Sequence, residues 1–142
     1  MNWKSIQTMH DGFPLMLRYR EDLNIESLRK KYANLIVVKH ILATVSPNGL
    51  PDADYNESLF EFDDSILNLF HLSLHGVPVL IETFAGKRNY YFYADSKKNV
   101  SNIVESLKRS FPKQRLTWTF HSDAEWGFLS KYSKSFNLNS GI

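Results

Sequence analysis

The stretch LIVVKHILAT, residues 35–44, is apolar on both of its alternating faces and rich in β-branched residues. That pattern belongs to a strand covered on both sides rather than to a half-solvated one. Beyond it, SPNGLP at residues 46–51 carries two prolines and a glycine and reads as a loop. Asp54 and Glu57 then make an acidic version of a capping box. They open a long helix to about residue 73, whose inner stripe is Leu59, Phe62, Ile66, Leu69 and Phe70, and His75-Gly76 ends it. Residues 77–84 and 89–95 form a hairpin across Ala85-Gly86-Lys87-Arg88. Val100, Ile103, Val104, Leu107 and Phe111 define the next helix, capped near Ser96 or Asn99 and stopped at Pro112. Leu116, Trp118 and Phe120 alternate with polar residues in a last strand.

From residue 35 to about residue 121 the order is therefore β-α-β-β-α-β, the split βαβ or ferredoxin-like arrangement of an α+β fold. Right-handed crossovers put the first and third of these strands at the centre of the sheet. Upstream, Asp11-Gly12 turns a hairpin in which Leu15, Leu17 and Tyr19 alternate with Arg18 and Arg20. A short helix follows over residues 25–33, with Asn24 or Asp22 as its cap. These N-terminal pieces either extend the sheet or cover its open face. A helical turn over residues 125–133 closes the chain.

The 142 residues predict one domain over 1–142, large enough to bury a core unaided. The absence of cysteine excludes disulfides, thiolate zinc sites and cysteine nucleophiles. No window approaches the ~18 apolar residues of a membrane span, and the N-terminus has no apolar leader, so a cytoplasmic protein without a membrane partner is expected. The net charge of +2 is an average over segments of opposite sign. Residues 1–44 carry seven bases and four acids, residues 86–142 ten bases and four acids. Between them, residues 45–85 carry seven acids and no base. Such segregation arises from solvated helix faces, and it also creates a field that can steer a charged partner.

Catalytic signatures are sparse. His71 and His75 have the four-residue spacing of a shared metal, but Leu72 stands where a zincin places its glutamate. His121, Asp123 and Glu125 include a potential base with no strained serine elbow for it to serve. Gly86-Lys87-Arg88-Asn89 lacks the glycine spacing of a phosphate loop. The run Tyr90-Tyr91-Phe92-Tyr93 lies on the third strand of the predicted unit, where RNA-recognition modules stack bases. Alternation sends one pair of these rings to the core and leaves the other to face a partner.

Several motifs occur together: Asn48-Gly49-Leu50-Pro51 before an acidic helix, Gly86-Lys87-Arg88-Asn89-Tyr90-Tyr91-Phe92-Tyr93, and Asp123-Ala124-Glu125-Trp126. In these the chain resembles the bacterial family called domain of unknown function 695. The resemblance implies no cofactor and no catalytic signature. Some members of that family carry a second domain similar to the regulator of ribonuclease activity B, an inhibitor of an endoribonuclease. Small bacterial domains of this size also serve as immunity proteins. The expectation is a non-enzymatic domain, monomeric or homodimeric, that occludes a protein partner such as a nuclease or toxin. Its acidic face would comprise Asp52, Asp54, Glu57, Glu61, Asp63 and Asp64, with Tyr91, Tyr93 and Trp126 as aromatic anchors. The alternatives are nucleic-acid binding by residues 87–93 and an uncharacterised hydrolase-like activity. No metal or cofactor is expected.

Overall fold

The computed structural model describes residues 1–138. The apolar stretch forms β3 (Asn34–Ile41), and the second predicted hairpin forms β4 (Gly76–Phe84) and β5 (Lys87–Ala94). Residues 115–122 form β6 (Arg115–Ser122). β5 lies between β3 and β4 and is antiparallel to both, and β6 flanks β3 on its other side. This interleaving is what splits a βαβ unit. The N-terminal hairpin, β1 (Trp3–His10) and β2 (Phe13–Arg20), extends the sheet, because β2 pairs with β4 over Met16–Tyr19. The full order is β1-β2-β4-β5-β3-β6. β3 and β5 are thus the middle pair of the split unit, while β4 and β5 are the middle pair of the whole sheet.

Both faces of the sheet are covered. On one, α3 (Phe60–Ser73) and α4 (Lys97–Ser110) bury Phe62, Ile66, Phe70, Val104 and Leu107 against Ile36, Val38, Tyr90 and Phe92. On the other, α1 (Ile25–Leu28) and α5 (Gly127–Ser135) cover Leu15, Leu17, Leu35, Tyr91 and Tyr93. Each fully buried large side chain contributes about 1.5–3 kcal/mol, so neither layer is dispensable.

Four features of the helices differ from the sequence expectation. The long helix is two, α2 (Ala53–Ser58) and α3, broken at Leu59, whose ψ of 0° leaves helical geometry. Its cap is Asp52, whose Oδ1 accepts from Tyr55 N at 2.9 Å, rather than an Asp54–Glu57 box. Asp52 has the extended backbone, φ −70° and ψ 169°, that suits a cap. α1 is one turn, capped by Asn24, and α5 starts two residues later than expected, after Trp126 in a left-handed conformation.

The sheet's face assignment depends on β4. Pro78 opposes Phe92 and Leu80 opposes Tyr91, which leaves Val79 as the extra residue of a β-bulge. Past it the alternation inverts: Val79 and Leu80 both join the α1/α5 layer, and Ile81 joins the α3/α4 layer. Pro78 is tolerated inside this strand because it sits at the bulge, beyond the reach of the β2 pairing.

Both hairpins turn in two residues at positive φ: Asp11 and Gly12 at 50° and 80°, Ala85 and Gly86 at 52° and 82°. Such turns match the right-handed twist of the strands they join. The four-residue turn expected at residues 85–88 is therefore shorter, and Lys87 and Arg88 belong to β5. The 46–50 loop packs on that tip. Gly86 N donates to Gly49 O at 2.9 Å and Leu42 N to Gly86 O at 3.0 Å. At Gly49 (φ 86°) a Cβ would lie 2.9 Å from Ala85 Cα, whereas at Gly12 (φ 80°) it would meet nothing within 4 Å. Gly12→Ala is expected to cost about 1 kcal/mol of backbone strain and Gly49→Ala about 2–3 kcal/mol, as strain and clash add. Urea unfolding of the two variants measures the difference.

Candidate functional site

Alternation on β2 turns Arg18 toward the α3 side of the sheet. The bulge sends Thr83 to the same side, and the short turn sends Arg88 there, directly opposite Thr83 in the β4–β5 register. The three side chains line one cleft of about 310 Å³. Asn56 of α2 and Asp63 of α3 complete its polar wall. Leu50, Pro51 and Phe60 supply apolar surface, Phe60 remaining 60% exposed. Two of the motifs noted in the sequence, Gly-Leu-Pro and Gly-x-Arg, thus meet here.

Asp63 anchors the wall. Only 7% exposed, it accepts from Arg18 Nη1 and from Tyr90 OH, both at 2.9 Å. Burial, reinforced by the Asp63 charge, pushes the Tyr90 phenol well above its usual value, so it stays a hydrogen-bond donor. Arg88 donates from Nε to Thr83 Oγ1 at 2.9 Å and from Nη2 to Asn56 Oδ1 at 2.6 Å. Arg18 stacks on the Trp3 ring, 5.3 Å from its centroid. Nearby, His40 packs on Phe62 and shares a 2.8 Å hydrogen bond through Nε2 with Gln114 Oε1. Its Nδ1 is buried without a partner among the described residues. A neutral ring with the proton on Nε2 suits this setting, and burial lowers the His40 pKa.

Five of the six acids expected on an acidic face, Asp52, Asp54, Glu57, Glu61 and Asp64, are exposed. Among the described residues none of the five has a basic nitrogen within 4.0 Å. Asp63 is corrected: it is an interior ligand of Arg18 and Tyr90, not a surface acid. Its place on the inner stripe was readable, since it lies four residues after Leu59 and three before Ile66. Glu82, on the opposite side of the sheet, accepts from Tyr132 OH at 2.6 Å and Asn89 Nδ2 at 2.9 Å.

The expected aromatic anchors are also corrected. Tyr91, Tyr93 and Trp126 are 8%, 0% and 1% exposed, because α5 covers the second face of β5. Trp126 stacks on Tyr93 at 4.0 Å and donates Nε1–H to Tyr32 O at 2.7 Å. Tyr91 stacks on Phe128 at 5.0 Å. With Tyr90 and Phe92 in the other layer, residues 90–93 present no ring for base stacking.

The remaining candidates have separate partners. His75 shares a 2.8 Å contact with Asp95, while His71 stays on the exposed face of α3. Asp123 accepts from Tyr93 OH at 2.7 Å and from the N–H groups of Gly127 and Phe128. Glu125 pairs with Arg29 at 3.1 Å, and His121 is exposed on β6. In the sequence Arg18 is not singled out as a site residue, and Arg88 enters only in the nucleic-acid alternative over residues 87–93. Arg18 was visible in the alternation of β2, whereas Arg88 was hidden by assigning it to a turn.

Fold and site together define a split βαβ domain with an added hairpin, a sheet covered on both faces and a basic cleft at the edge of an acidic helical surface. The chain belongs to the family described as "Family of unknown function (DUF695)", whose model matches residues 1–132. No curated protein and no solved structure matches it. Among the described residues no helix is long and apolar enough to cross a membrane.

Removing the Asp63 carboxylate strands Arg18 and the buried Tyr90 hydroxyl. Asp63→Ala is expected to lose about 2–4 kcal/mol in urea unfolding, and the exposed neighbour Asp64→Ala less than about 0.5 kcal/mol. His40 gives a pH signature. The unfolded chain takes up a proton near pH 6.5 that the folded His40 refuses. Stability should therefore fall as pH drops through and below that value, and a thermal-melt series across the window should show a shallower slope in His40→Gln.

Proposed function

We propose that this domain is a cytoplasmic, non-enzymatic interaction module that binds a basic protein partner and regulates it by occlusion. The observation that carries the reading is α2 with its cap and early α3, where five exposed carboxylates lack a cationic neighbour among the described residues and the ring of Phe60 is 60% exposed. Unpaired acids of one sign accelerate encounter with a basic surface, while a central aromatic supplies the desolvated contact that slows dissociation. Phe60 takes the anchor role that Tyr91, Tyr93 and Trp126 cannot fill from the interior. A nuclease fits this chemistry, because its substrate cleft must be basic to hold phosphates.

The test is capture from the native host using the wild-type chain beside a variant carrying D52N, D54N, E57Q, E61Q and D64N, and another carrying F60S. The wild type should retain a basic protein whose association slows as salt rises. The neutralised variant should lose mainly association rate, and F60S mainly residence time. If the captured protein is a nuclease, adding the domain should suppress its hydrolysis of RNA or DNA. Equal capture by all three chains, or capture of acidic proteins alone, would reject the reading.

A further inference from the structure

In the cleft two guanidinium groups face a single carboxylate. Asp63 neutralises Arg18 at 2.9 Å. Arg88, by contrast, is held by two uncharged acceptors, Thr83 Oγ1 and Asn56 Oδ1, and among the described residues has no carboxylate within 4.0 Å. The other arginines of mixed burial behave differently: Arg20 is paired with Asp22 at 2.8 Å and Arg29 with Glu125 at 3.1 Å. A half-buried cation loses hydration, and neutral acceptors only partly replace it. Bracing by Thr83 and Asn56 nevertheless fixes the plane of the Arg88 fork, which removes much of the entropy cost of meeting an oxyanion.

The facing wall is of another kind. Leu50, Pro51 and Phe60, from the loop and helix side, present carbon to the same space, and Ile81 lies beside Arg18 on the sheet. The volume of about 310 Å³ lies near the lower end of small-molecule sites. The carboxylates of α2 face bulk solvent, where salt screens charges separated by more than about 8 Å.

We propose that this cleft binds a small oxyanion carried on an apolar body, a carboxylate or a phosphate monoester, with Arg88 as its charge partner and Phe60, Leu50 and Pro51 against its apolar part. The site shares Phe60 with the protein-binding reading but does not use its carboxylates, and it should persist when the acidic surface is neutralised.

Amide-resolved NMR titration of the whole chain with benzoate, phenyl phosphate and inorganic phosphate tests it. Benzoate or phenyl phosphate should move the Asn56, Thr83 and Arg88 signals saturably, with inorganic phosphate about tenfold weaker or more. Whichever aromatic ligand binds identifies the head group. Arg88→Gln should weaken binding about tenfold or more. Because Arg88 also braces its neighbours, Ser5→Trp provides a second variant: Ser5 lines the cleft from exposed edge strand β1, and the indole should block entry in a folded protein. Three results would overturn the proposal: no saturable shift with either aromatic ligand, unchanged affinity in folded Ser5→Trp or Arg88→Gln, or inorganic phosphate binding as tightly as phenyl phosphate.

Discussion

Three buried phenols on one strand each require an acceptor, and the rest of the structure is arranged to supply it. Tyr90 donates to Asp63 on α3, Tyr93 to Asp123 before α5, and Tyr91 contacts Glu82 on β4 at 3.4 Å. In each case burial is the first cause of a raised tyrosine pKa. The hydroxyls therefore remain protonated and act as donors, which is the role a neighbouring carboxylate complements. A strand that sends tyrosines to both faces cannot leave either face wet without forfeiting these bonds and the burial of the rings. That requirement explains why the split unit carries terminal additions: α1 and α5 form the second cover, and β2 supplies Leu15, Leu17 and Tyr19 beneath it.

The same requirement marks what the sequence could reveal. Strand β3, the paired hairpins and the two long amphipathic helices were legible, because their apolar positions recur at a period of two or of three to four residues. Residues 90–93 were not, since alternation identifies an outward face only when one face is polar, and here both are aromatic. Trp126 was misjudged for a related reason: a large indole with a polar edge is written identically in a core and at an interface, and only the Tyr32 carbonyl distinguishes them. Asp63 shows the converse, an acid in a run of acids whose helical phase, not its charge, determined its position. The Val79 bulge left no signal at all. A single unpaired residue changes the face of everything after it, yet in composition it is one more valine in an apolar run.

Charge segregation along the chain becomes two adjoining surfaces of opposite character. The acids of residues 52–64 that are not consumed by the interior remain on the outside of α2 and α3. Arg18 and Arg88 come from strands remote in sequence and gather under the edge of that surface. The boundary between the two is Phe60, which lines the cleft and is also the most exposed ring among the acids. One aromatic side chain thus belongs to both surfaces, and an occupant of either one alters the surroundings of the other.

The docking of the 46–50 loop on the Ala85-Gly86 tip has a bearing on motion. Hairpin ends ordinarily fray first and exchange their amide protons fastest. Here the Gly86 amide is engaged by Gly49, and its carbonyl by Leu42, so the end of the β4–β5 hairpin cannot lift without the segment that leads from β3 into α2. The connection from β3 to α2 is thereby clamped near its midpoint. The cleft wall formed by Leu50 and Pro51 inherits the stiffness of the sheet, although it is built from an irregular loop.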